Sequence, residues 1–541
     1  DEHATPLCPF TPSALGFDHD PTPGLRRASP PDARSLLNHG LPAAMMPLLP
    51  PRLLLVVLLA FTGLDTCLAS LSVPVAPVSP AAPVIPAHRA SLTDFGGVPD
   101  GETLNTAAFA RALAALAEKG GGTLVVPPGV WLTGPIELRS HINLHVEAGA
   151  LIQFSRDTTL YPVRIFDARG EKSIDTQSPL SGEKLEDIAI TGTGVIDGGG
   201  DAWRYVKKPK TTEPFWKALV ASGGVLNAKG NEWWPTQAAM DGAAATDALE
   251  AKGVLDPAAY EPYRVFLRPR LLRLLDCRRV LIEGVTFRNA PNWTLHPWLS
   301  EDLTLRDVKI FNDRWAQNSD AMDIDSCRRV HVTGCIIDTG DDGLCIKSGK
   351  DASGRRLGVP TEDVLIENCT VYEGHGGFTI GSEMSGGVRN IFVRNCTFIG
   401  TAIGLRFKTV RGRGGVVENI HITGIRMTGI EAAAIDFNFF YASNGKPAEA
   451  TPEPTVETPT FRNILIEDVV SRGSATPLVM RGLPEMPLRD ITLRDVSLSA
   501  ARGADLLNCD GIIFDRVQIR AADGEPLATR AVTRSTLPLL P

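Results

Sequence analysis

The chain has 541 residues, 43% of them apolar, 21% charged and 6% aromatic, with 51 Gly and 41 Pro. So large an apolar share excludes an intrinsically disordered protein. Lys and Arg number 54 against 62 Asp and Glu, a formal charge of −8. This acidity without a basic run excludes nonspecific nucleic-acid binding, which draws its affinity from phosphate neutralisation, and any acidic ligand must be held by a local cluster of cations. Nine Cys and no CxxC pair give neither a disulfide scaffold nor a zinc signature.

Residues 1–44 carry no helical or strand period and read as an unstructured or mis-assigned upstream segment. Within 45–70, Arg52 precedes the apolar run Leu53–Phe61, and small residues follow near Cys67, Ala69 and Ser70. A charged start, a brief apolar run and small residues before a cut predict a signal peptide. The run falls short of the roughly 20 residues that span a bilayer. The expectation is export to the periplasm or beyond, without an anchor or membrane span. Residues 71–90, rich in Pro, Ala and Val, read as a semi-rigid linker. A folded domain is expected over 91–530, with a tail at 531–541. Asn105–Lys119 has the period of an amphipathic helix, with Asn105 or Thr106 able to cap it, and is placed over the open end of the first coil.

From residue 280 one pattern recurs. Val280-x-Ile282-x-x-Val285 is followed by the same arrangement at Leu303, Val330, Val364, Ile391, Ile420, Ile464, Ile491 and Ile512. Alternation with period two marks strands with one buried face. A repeat of some twenty to forty residues without helices between the strands predicts stacked coils that share a core, an all-β parallel β-helix. An antiparallel sandwich also has many short strands, but few hairpin turn dipeptides separate these. Cys335, Cys369 and Cys396 occupy one repeat position and are expected as small buried residues in a vertical stack. The segment 203–264 breaks the repeat and carries Trp216, Trp233, Trp234 and Tyr260. It either walls off one end of a groove or covers apolar coils.

Each coil also has a second apolar pair: Met322/Ile324, Leu344/Ile346, Phe378/Ile380 and Leu405/Phe407. Aligning the pairs brings Asp320, Asp341, Asp342, His375, Arg406 and Lys408 to one stretch of the outer wall, on rungs about 4.8 Å apart. Carboxylates this crowded cannot all ionise freely, so one pKa should rise and leave an acid beside bases. An acid and a base with room for water are the equipment of inverting glycoside hydrolysis. Arg406 and Lys408 suit an anionic sugar. Taken singly, an Asp-Asp pair is as often a turn, and a carboxylate cluster can bind calcium; a His and two cations in the patch disfavour calcium.

With these motifs in order, Asn318-Ser319-Asp320, Gly340-Asp341-Asp342, Gly374-His375-Gly376 and Arg406-Phe407-Lys408, the sequence resembles glycoside hydrolase family 28, the polygalacturonases. The similarity runs from about residue 91, with Asp94-Phe95-Gly96-Gly97 and Gly194–Gly198, into the 520s. The resemblance implies a single-stranded right-handed parallel β-helix, the pectin-lyase-like solenoid, and inverting hydrolysis of α-1,4-galacturonosyl bonds with no metal or other cofactor. It implies Asp341 as general acid, Asp320 and Asp342 as the groups that position and deprotonate water, and His375 as support for the acid. Arg406 and Lys408 would bind galacturonate carboxylates, with Asn318 a lesser contact. The implied partner is the acidic pectin of plant cell walls, met by a monomer. Ser319, Ala321 and Phe407 depart from the common pattern, and Cys345 is displaced from the usual Cys, so no disulfide is carried over. Gly381–Gly387, after the His motif, resembles exo-acting bacterial members, and the long segment, if it walls off the groove, would restrict cleavage to chain ends. Rhamnogalacturonan or substituted-galacturonan hydrolysis is the neighbouring alternative; a β-helix lyase or a non-catalytic carbohydrate-binding solenoid is the alternative from another class. Asn292, Trp293 and His296 are candidates to line the groove.

Overall fold

The structure, a computed structural model, describes residues 79–441 and 451–537. The upstream segment, the expected signal peptide, the start of the expected linker and the last residues of the tail lie outside the described residues. Thirty-three strands form one sheet whose neighbours are parallel and succeed one another coil by coil. Parallel strands joined by crossovers wind right-handed, and the result is a right-handed parallel β-helix. The predicted repeat is its central ladder: Val280 pairs with Leu303, Leu303 with Val330, Val330 with Val364 and Val364 with Ile391. These side chains are buried in one continuous core with Cys335, Cys369 and Cys396, whose thiols are free.

Corners define the coils. The residue before each strand's first apolar position is left-handed: Arg279, Asp302, Arg329, Asp363, Asn390, Asn419, Asn463 and Asp490 all have φ between 51° and 57°, and Asp and Asn adopt that conformation more readily than most residues. Four of them also stack, Asn390 donating to Asp363 at 3.0 Å, Asn419 to Asn390 at 3.2 Å and Asn463 to Asn419 at 2.6 Å. The second corner, before Val285, Val308, Cys335, Cys369 and Cys396, is Gly284, Asp307, Gly334, Asn368 and Asn395 in turn, all with positive φ.

The helix Thr106–Glu118 buries Ala108, Phe109, Ala112, Leu113 and Leu116 against the first coil. Neither predicted cap acts through its side chain. Asn105 is buried and instead ties a loop, accepting from Val98 N at 2.8 Å and donating to Thr103 O at 2.8 Å. The chain before the first strand, Arg89–Ser91, is not free of the domain: Ala81 and Val84 donate their amides to Asp302 and Asp187. No helix among the described residues is long and apolar enough to cross a membrane.

The segment 203–264 is not a coil. It holds helices Glu213–Ala221 and Gln237–Ala251, started by Thr212 and Thr236 side chains that accept from the third residue on, and a small antiparallel sheet. Trp216 and Trp233 join Val206 in a core of its own. The Tyr260 hydroxyl donates to Val254 O, so most of the aromatics noted in the sequence pack internally. Trp234 differs, stacking on Tyr205 at 4.2 Å, whose ring faces Arg268.

Candidate active site

Four strands carry the site: Met322–Asp325, Leu344–Lys347, Gly376–Ile380 and Ile403–Lys408. Their register is the one obtained by aligning the apolar pairs. Met322 lies beside Leu344, Leu344 beside Phe378, and Phe378 beside Leu405. With that register fixed, the turns entering these strands stack too. Ser319 links them, its hydroxyl accepting from Gly340 N at 3.2 Å, so the Asp320 turn holds the Asp341 turn in place. Gly376 has no room for a side chain: a Cβ there would lie 2.9 Å from Asp342 Oδ1.

Asp320, Asp341 and Asp342 each bring a carboxylate oxygen within 4.8 Å of the others. Asp342 is fully buried. Its Oδ1 accepts from Arg406 Nη1 at 3.0 Å and its Oδ2 from Lys408 Nζ at 2.7 Å. His375 Nδ1 lies 3.0 Å from Asp341 Oδ1. Of the three carboxylates Asp341 is the one that reaches the open groove, with 13% of its side chain exposed against 0% for Asp342. Asn318 turns to Arg268, whose guanidinium donates to Oδ1 at 2.9 Å.

The carboxyl groups divide electrostatically. Burial first, then the charges of Asp341 and Asp323, push Asp320 well above the ordinary carboxyl range. Asp323, beneath it, is raised to about 8, chiefly by burial with Lys347 opposing; both its oxygens lack hydrogen-bond partners. Burial acts upward on Asp342 as well, but Lys408 and Arg406 outweigh it and hold the group far below the usual range. In Asp341 burial is again the largest cause, yet the hydrogen bond from His375 leads the opposing causes and the pKa is lowered. The split expected from crowding is present: Asp320 is raised while Asp341 is lowered.

Several groups escaped sequence reasoning. Tyr441 covers the cations, its ring centre 5.6 Å from the Arg406 guanidinium and 5.0 Å from Lys408 Nζ. Lys210, from the inserted segment, places Nζ 3.2 Å from His375 Nε2 and donates to Gly340 O at 3.1 Å. Trp293 lies between Lys347 and Arg270, at 4.9 and 5.1 Å. His296, a candidate groove residue, is instead buried between Trp293 and Trp298, and burial lowers its pKa to about 4. Asn292 donates to Arg268 O. Three carboxylate oxygens at this spacing resemble a cation site, but both oxygens of Asp342 already accept from Arg406 and Lys408, leaving the donor set with one ligand committed elsewhere.

Carboxylates able to exchange a proton, held beside an imidazole and two cations in a groove on a parallel β-helix, are the equipment of a glycoside hydrolase. Comparison with known proteins agrees. The family model for glycosyl hydrolases family 28 matches residues 259–518. A probable polygalacturonase of Vitis vinifera is 30% identical over 432 residues, spanning 77% of this chain and 76% of that protein. An exo-poly-alpha-D-galacturonosidase of Dickeya chrysanthemi is 26% identical, with 72% and 64% covered. The crystal structure of a hyperthermoactive exopolygalacturonase from Thermotoga maritima superposes with a TM-score of 0.67 at 32% identity, covering 81% of this chain and 94% of that one. The chain belongs to glycosyl hydrolases family 28.

Proposed function

We propose that the protein is an exported polygalacturonase that releases sugars from chain ends of polygalacturonate by single-displacement hydrolysis. One observation carries this: three carboxylates, His375, Arg406 and Lys408 meet on four successive turns of one sheet. Asp341, the carboxyl nearest the open groove, gives its proton to the leaving glycosidic oxygen. Asp342, ionised, accepts the proton of the attacking water, which it holds together with Asp320. Arg406 retains donors beyond the one given to Asp342, and with Lys408 it meets the substrate carboxylate.

The carboxylates are closer than the ~6.5–9.5 Å of the usual inverting pair and nearer the ~5–5.5 Å of a retaining one. The occupancy of the oxygens nevertheless favours water as nucleophile. Asp320 is buried with its pKa raised well above the usual range, and both Asp342 oxygens are engaged by cations, so both are poor nucleophiles for covalent attack. The two mechanisms release opposite anomers.

Exo-action is supported by the inserted segment. Pro209, Lys210, Thr211 and Thr212 line, with His375, Gly374 and Gly340, a half-open cavity of about 480 Å³, and the 32% identical Thermotoga protein is an exopolygalacturonase. Incubation with polygalacturonate and with rhamnogalacturonan, resolved by product size and viscosity, tests the assignment. The expected result is small acidic products from polygalacturonate with viscosity nearly held; a rapid viscosity fall with few reducing ends contradicts exo-action, and products from rhamnogalacturonan alone contradict the substrate.

A further inference from the structure

The residue with the least place in the family motifs is Lys210, supplied by the 203–264 segment from a short turn, Lys208–Lys210. Its Nζ donates to the carbonyl of Gly340 at 3.1 Å and sits 3.2 Å from His375 Nε2. On the other side of the same ring, Nδ1 is 3.0 Å from Asp341 Oδ1. The three side chains form an unbroken line from the insertion to the carboxyl that faces the groove.

The direction of the hydrogen bonds follows from donor inventory. An ammonium can only donate, so a charged Lys210 requires Nε2 to accept. The imidazole proton then lies on Nδ1 and is donated to Asp341. Two adjacent cations 3.2 Å apart repel, so lysine and imidazole share one positive charge between them. Intrinsic basicity gives it to lysine, which starts about 4 pKa units above histidine. Burial acts first to lower the lysine and Asp341 acts to raise it. The other charged groups around the ring are Lys207 beside Lys210, Arg314 and Glu431 on the neighbouring turns, and Asp320, Asp342 and Arg406 across the site. Arg314 is occupied by Glu373 at 2.8 Å and by Glu431, which leaves Lys210 as the cation in contact with Nε2.

The charge of this ring matters to Asp341. An imidazolium at Nδ1 holds the carboxyl ionised, the state in which it cannot protonate a leaving group. A neutral ring gives the same hydrogen bond without the adjacent charge. We propose that Lys210 is a positioning residue: by occupying Nε2 it holds His375 as the neutral Nδ1-protonated tautomer, so that the proton shared among the carboxylates can reside on Asp341. This inference rests on the role of Asp341 proposed above, but its structural half is independent of substrate.

The test is nitrogen NMR of the free protein with labelled histidine, the His375 signals assigned by their loss in His375→Gln, combined with the pH profile of kcat. In the unaltered protein the ring is expected to show Nδ1 protonated and Nε2 bare, the signature of the neutral tautomer. In Lys210→Met it should titrate near its ordinary value of about 6.5, so that only about a tenth stays neutral at about pH 5.5. kcat should then fall about tenfold on the acid side relative to its own plateau. Lys210→Arg, which still donates, should keep the tautomer. Three results overturn the proposal: an imidazolium in the unaltered protein at about pH 6, identical His375 titration with and without Lys210, or a rise in KM with an unchanged pH profile, which makes Lys210 a substrate contact. Absence of activity on polygalacturonate with the NMR result intact removes the substrate assignment and leaves the Lys210–His375 contact standing.

Discussion

Replacing Asp342 by Asn removes the single anion that two buried cations share. The carboxylate is fully buried and spends one oxygen on Arg406 at 3.0 Å and the other on Lys408 at 2.7 Å. The amide keeps one acceptor and turns an NH2 group towards the other cation, leaving it unpaired. Breaking a buried ion pair by removing one partner costs about 3–5 kcal/mol. The Tyr441 ring over both cations recovers at most about 2 kcal/mol of that, so a loss of about 1–5 kcal/mol is expected from urea unfolding near neutral pH. The sign with pH follows from linkage. The Asp342 pKa is depressed in the folded state, so its contribution is present above the unfolded value of about 3.9 and is lost as pH falls through the folded one. The gap between Asp342→Asn and the unaltered protein should be constant above about pH 5 and narrow only in stronger acid. Adding Lys408→Met should cost less than the sum of the single changes, by at least ~1 kcal/mol. A loss below ~1 kcal/mol, or a gap that opens on the alkaline side, refutes the reasoning.

Asp341→Asn should lower kcat about 10²–10⁴-fold at unchanged stability, because its side chain is partly exposed and tied only to His375 and the next amide; circular dichroism and single-turnover rates check both halves. Asp323 has the opposite linkage sign to Asp342. Its pKa is raised to about 8, so stability is fullest below about pH 4 and declines as pH rises to the folded value. Asp323→Asn should flatten that decline by at least ~1 kcal/mol between about pH 5 and 8 in urea titrations. A chelator should leave hydrolysis unchanged and no unsaturated, ultraviolet-absorbing product should form, since Arg406 and Lys408 hold the oxygens of Asp342; loss of activity points to a cation-dependent lyase.

Periodicity made the ladder legible, because a buried strand face must alternate and stacked coils must share a core. The pairing of Met322, Leu344, Phe378 and Leu405 was readable for the same reason, and with it the convergence of Asp320, Asp341, Asp342 and His375. The corner residues were equally visible, since Asn390, Asn419 and Asn463 each stand just before an apolar triplet, yet a left-handed corner leaves no hydrophobic signature. Side-chain direction was less accessible. Register brings Arg406 and Lys408 to the groove, but it does not say that both turn first to Asp342, nor that Asn105 serves a loop rather than the helix. Lys210 lies in a segment without the repeat, so no register indexes it, and only folding carries it to His375. Crowding predicts that one carboxyl rises, but which one depends on Asp323 below Asp320 and on His375 beside Asp341.

Proton NMR of the first turnovers on an oligogalacturonide gives the most direct test of direct water attack at this cluster of carboxylates. Hydrolysis of the α-linkage by a water held between Asp320 and Asp342 must release the β-anomer first, with the α-form appearing only as mutarotation proceeds. Initial release of the α-anomer would contradict it, and would place a covalent glycosyl-carboxylate where the water is proposed to stand.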